Sequence, residues 1–68
     1  MYVQEYRCGS VYEVHLGEDN DLMIVLDKQN NLDIGLMQEY YKEYDDNISH
    51  IVLTSEELVQ ISIFIEEL

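Results

Sequence analysis

Gly17-Glu18-Asp19-Asn20-Asp21-Leu22-Met23-Ile24-Val25-Leu26 decides the fold. Its first half is five residues that all tolerate tight or left-handed backbone. Its second half is an unbroken apolar run, the pattern of a central strand covered on both faces. Immediately upstream, Val11 to Leu16 alternates, with Tyr12, Val14 and Leu16 opposed to Val11, Glu13 and His15. Two such runs around a polar turn read as an antiparallel hairpin. Residues 2–7 alternate again, Tyr2, Gln4 and Tyr6 against Val3, Glu5 and Arg7, and Cys8-Gly9-Ser10 is the expected turn between the first two strands. Asp27 to Asn31 closes a three-stranded meander.

Beyond it the period changes. Leu36, Met37, Tyr40, Tyr41 and Tyr44 recur every three or four residues, which predicts a helix over about 33–45 that Asp45-Asp46-Asn47 ends. Ile48 to Leu53 is short and β-branched, the expected fourth strand. Thr54-Ser55-Glu56-Glu57 is a capping-box pattern. The stretch after it, residues 55–67, fits a helical stripe of Leu58, Ile61 and Ile65 that continues to Leu68. It also fits the two-residue alternation of Val59, Ile61, Ile63 and Ile65, and the cap decides for a helix. The expectation is a single α+β domain over residues 1–68, β-β-β-α-β-α, with an antiparallel sheet of three to four strands and one or two helices on one face.

Bulk composition narrows the function. Fifteen Asp and Glu stand against three Lys and Arg, a formal charge of -12 on 68 residues. Direct binding of nucleic acid or anionic lipid needs cations to displace counterions, and the chain has too few. A hydrophobic content of 47% with no proline excludes an acidic disordered tail. So short a chain is marginal without a staple. Cys8 is the one cysteine, so there is no internal disulfide and no cysteine-based zinc site. A lone thiol suits the cytosol. The N-terminus has no secretory pattern, and the longest apolar run, Leu22 to Leu26, is far short of a bilayer span. Association is the staple that remains, with a partner or as a homodimer.

No reaction is spelled out. His15, His50 and Cys8 lack the spacing of a nucleophile pair, and nucleophile-elbow and glycine-rich patterns are absent. The Glu18–Asp21 turn lacks the twelve-residue loop of a dedicated calcium site. We expect no enzyme, no cofactor and no metal. The carboxylates themselves are the informative set: Glu18, Asp19 and Asp21 in one turn, and Glu39, Glu43, Asp45 and Asp46 along and beyond the first helix. Glu39 and Glu43 are one helical turn apart, ~5–6 Å, a spacing comparable to that of nucleic-acid phosphates. Such a surface offers a nucleic-acid-binding protein a false backbone, and Tyr41 is the expected contact aromatic.

Two resemblances bear on this. Leu32-Asp33-Ile34, Glu39-Tyr40-Tyr41, and Ile51-Val52-Leu53-Thr54 leading into Glu56-Glu57-Leu58 make residues 32–68 similar to the C-terminal half of the single-strand-binding transcriptional coactivator family called positive cofactor four. That resemblance implies single-stranded nucleic-acid binding, but where the family has a lysine pair before the last strand this chain has Ile48-Ser49-His50. In size and charge the whole chain resembles small acidic phage inhibitors that mimic DNA, such as anti-CRISPR proteins and uracil-DNA glycosylase inhibitors. This resemblance implies a non-enzymatic inhibitor of a basic nucleic-acid-binding host protein, such as a CRISPR effector, in the host cytosol. The competing readings are a structural or regulatory dimerisation domain and a diverged coactivator-like binder.

Overall fold

A computed structural model describes residues 3–68; Tyr2, placed by its alternation in the first strand, lies outside them. Three strands form an antiparallel meander in the order β1-β2-β3: β1 Gln4–Tyr6, β2 Gly9–His15 and β3 Asp21–Leu26. Two helices follow, α1 Ile34–Tyr44 and α2 Ser55–Glu66. The α+β class, the meander and both helices are as the sequence predicts. Asp33 caps α1 by accepting the Leu36 N–H at 3.1 Å, and Asp45 ends it.

Capping settles the ambiguity of the last segment. Thr54 Oγ1 accepts the Glu57 N–H at 3.1 Å, and Glu57 Oε1 accepts the Thr54 N–H at 2.8 Å. The reciprocal pair satisfies two donors that any helix start leaves open. Thr54→Ala is expected to cost about 1 kcal/mol, read as a lower midpoint in urea with an unchanged slope.

Register places the core. Val11 pairs with Val25 and Tyr12 with Ile24, so Val11 and Val25 share one face while Tyr12, Val14 and Ile24 share the other. Both sets are covered, for Val11, Val14, Ile24 and Val25 are all buried. α1 lies on the first face, where Tyr40 meets Tyr6 edge-on at 5.3 Å between ring centroids. α2 lies on the second, its Phe64 edge-on to Tyr12 at 5.5 Å. The helices therefore take opposite faces, whereas the sequence reading put them on one. The sheet is apolar on both sides, and one face would otherwise stay wet.

Two further expectations change. The apolar run of β3 is covered on both faces, but β2 is the central strand. Ile48 to Leu53 forms no strand; it crosses from α1 to α2 with Ile51 and Leu53 half-buried and Val52 exposed. The free edge of β3 is already occupied, because the Val25 carbonyl accepts the Asp33 N–H at 3.0 Å and the Met23 carbonyl accepts the Tyr41 hydroxyl at 2.7 Å. A fourth strand has no edge left on that side.

The first hairpin turn also shifts. Tyr6 pairs with Gly9, leaving Arg7-Cys8 as a two-residue turn with Arg7 at φ 55°. Gly9 is needed in the strand instead: a Cβ there would sit 2.5 Å from the Leu26 carbonyl oxygen.

Candidate functional site

The expected carboxylates divide into two environments. On α1, Glu39 and Glu43 both bind Arg7, at 2.7 and 3.2 Å, and Glu43 also accepts the Tyr6 hydroxyl at 2.9 Å. Arg7 and Lys42 line one shallow depression together with Glu39, Glu43 and Asp46. Two of the three basic residues of the chain thus sit in the acidic stretch that the sequence singled out. Asp45 faces its own backbone, accepting the Asn47 N–H at 3.0 Å. The arrangement is partly neutralised, and its carboxylates also serve the fold by holding the strained Arg7 turn.

The second environment is different. Leu16 and Asn20, the flanks of the β2–β3 turn, line a groove with Thr54, Glu56, Glu57 and Gln60. Folding brings exposed Glu18 and Asp19 to the same end of the molecule as the start of α2. No lysine or arginine lines that groove. Glu56 and Glu57 also meet the positive end of the α2 dipole, which favours carboxylates there. Their part was missed in the sequence. The capping box was legible, but its approach to a turn nearly forty residues away was not.

Asp21 belongs to a third arrangement. Register pairs it with His15 across β2 and β3, and His15 Nδ1 and Asp21 Oδ1 are hydrogen-bonded. Glu13, two residues before His15 on the same face, completes a group whose ligand atoms lie within 4.8 Å of one another. One imidazole nitrogen and two carboxylates are donors that a borderline cation such as zinc accepts. An incoming ion would replace the proton between His15 and Asp21. The sequence reading had set His15 aside; its spacing to Asp21 across the turn was the available signal.

That hydrogen bond, and then the charge of Asp21, raises the His15 pKa, while His15 holds Asp21 below the usual carboxylate range. The signs fix a window. His15 stabilises the fold when protonated, an effect lost as pH rises through its raised pKa. The Asp21 contribution is lost as pH falls through its lowered one. Both contributions are therefore fully present between pH 3.8 and 6.5 and fade outside that window. His15 is expected to titrate above the ordinary imidazole value of 6.5 by proton NMR, and Asp21→Asn should return it toward that value. A midpoint indifferent to Asp21→Asn would contradict the pairing.

The tyrosines are placed otherwise than expected. Tyr40 is 5% exposed, and burial with the Tyr44 hydroxyl beside it pushes its pKa up to about 12. Tyr41, expected at the contact surface, is half-buried with its hydroxyl on the Met23 carbonyl. Tyr44 is the outward ring, 74% exposed. The reason is the β3 edge: Tyr41 is the side chain that closes it.

His50 bonds Ser49 and Cys8 is exposed at the first hairpin, so neither joins His15. Among the described residues no helix is long and apolar enough to cross a membrane. No family model matches the chain, and neither a curated protein nor a solved structure does.

Proposed function

We propose that this protein is a non-enzymatic inhibitor that occupies the basic nucleic-acid-binding surface of a host protein, such as a CRISPR effector, by acidic mimicry. The observation that carries this reading is the groove between the β2–β3 turn and the start of α2. Glu56 and Glu57 line it with no basic residue, and its other wall, Leu16 and Asn20, flanks the turn that carries exposed Glu18 and Asp19. Fixed carboxylates on a folded surface attract a cationic channel as phosphates do, and release its counterions on binding. The α1 carboxylates, engaged with Arg7, form the less charged flank. One exposed thiol at Cys8 fits a reducing host cytosol.

Competition tests it. Double-stranded DNA should displace the protein from its bound partner, and affinity should fall steeply as salt rises. A partner that stays bound in excess DNA, or with the same affinity at high salt, would reject mimicry.

A second reading, a structural or regulatory dimerisation domain, has its own support. Leu58, Val59 and Ile63 leave an apolar stripe on α2 that is 44–55% exposed. Sedimentation of the pure protein separates the two, since a tight dimer at low salt favours the second.

A further inference from the structure

Met23 and the C-terminal half of α1 border an open concavity of about 450 Å³, lined by Asp21, Met23, Tyr40, Tyr41, Tyr44 and Ile48. The tyrosine hydroxyls in its wall are already used. Tyr41 donates to the Met23 carbonyl at 2.7 Å, and the Tyr40 and Tyr44 hydroxyls bond each other at 3.1 Å. What the wall presents is ring surface, a thioether and an aliphatic chain, with one carboxylate, Asp21, in its lining. Aromatic rings are negative over their faces and hold cations there. Asp21 already bonds His15 through Oδ1, and a neutral apolar ligand would leave its other oxygen unused. A cation on a methylene stem uses both parts.

We propose that this pocket takes the side chain of an arginine presented by a basic partner. Arginine fits better than lysine because its planar guanidinium stacks on rings while one N–H reaches the Asp21 oxygen that His15 does not hold. Charge complementarity supports the occupant: the pocket opens on a chain of net charge -12, with Glu13 beside Asp21. A second copy is a poor source, because Arg7 is the only arginine in the sequence and is held by Glu39 and Glu43. The inference rests on the proposed mimicry for where the arginine comes from, and the pocket would act as its anchor.

The test needs no partner. N-acetyl-arginine methyl ester and its neutral isostere, N-acetyl-citrulline methyl ester, are titrated into the full chain at low salt and followed by NMR. Saturating shifts are expected at Tyr44, Met23 and Ile48, with citrulline binding at least ~5-fold more weakly. Tyr44→Ala and Asp21→Asn should each weaken the arginine compound several-fold, while Glu66→Gln, on exposed α2 surface and with the same change in net charge as Asp21→Asn, should not. Tyr44 is 74% exposed, so its loss leaves the core intact, and unchanged circular dichroism checks this. Equal binding of the two compounds overturns the pocket, as do shifts centred on Glu18 and Glu56 or indifference to both pocket variants. Binding here while DNA fails to displace a partner would keep the pocket and reject mimicry. The reverse pair of results would reject the pocket and keep mimicry.

Discussion

Changing Glu18, Asp19 and Glu56 together to lysine is expected to weaken binding to a basic nucleic-acid-binding partner by ~10³-fold or more, about 4 kcal/mol. Each exchange replaces an attraction by a repulsion, and like charges facing across an interface cost several kcal/mol in all. The fold should survive. Glu18, Asp19 and Glu56 are exposed, and the weaker start of α2, about 0.3–1 kcal/mol, is offset by reduced self-repulsion. The companion variant, Glu39→Gln with Glu43→Gln, should behave in the opposite way. Binding should change little, because Arg7 already holds those carboxylates. Stability should fall slightly, as two exposed ion pairs are lost and Arg7 is left in its left-handed turn. Isothermal titration of both variants, each with a thermal melt, reads the contrast. If the α1 pair abolished binding and the turn set did not, the contact surface would have to move to α1.

The largest effect on stability is expected at Gly9. Its neighbours, within 3.3 Å of an added Cβ, are the Leu26 carbonyl oxygen, Leu36 and Val25. Leu36 could turn aside; a carbonyl within a strand cannot move without shifting β3. Overpacking of this kind costs about 1–3 kcal/mol, and the backbone contact puts Gly9→Ala at the upper end. For so small a domain, 3 kcal/mol corresponds to a melting point lower by roughly 12–24 °C. The residue is not there to turn, since Arg7 and Cys8 make the turn, so Cys8→Gly should leave stability nearly unchanged. Denaturation of the two variants side by side distinguishes close packing from turn formation. Near-parental stability of Gly9→Ala would mean that β2 and β3 can separate at this point.

Legibility followed the range of the forces involved. The Asp27–Asn31 turn was readable because it is local: the Asp27 carboxylate accepts the N–H groups of Gln29 and Asn31. The Thr54 cap was readable for the same reason. The fourth strand was misread because β propensity speaks of a segment's preference and says nothing of whether an edge is open to receive it. Tyr41 illustrates the same limit. Its helical spacing left it as the expected contact aromatic, and only the position of the Met23 carbonyl turned its hydroxyl inward. Glu39 and Glu43 were correctly placed on one side of α1, and the strand-to-helix approach that puts Arg7 between them was invisible.

The net charge, the meander, the two helices and their caps were determined by the sequence alone, through composition, periodicity and contacts within a few residues. Tertiary structure decided which carboxylates remain free. The pairing of β1 with β2 carries Arg7 to α1 and quiets one acidic stretch, while the passage of residues 45–54 across the molecule carries Glu56 and Glu57 to the β2–β3 turn and concentrates another. The physical reason is that a local pattern constrains backbone and face, whereas the electrostatic character of a surface depends on charges far apart in the chain that meet only once the core has closed.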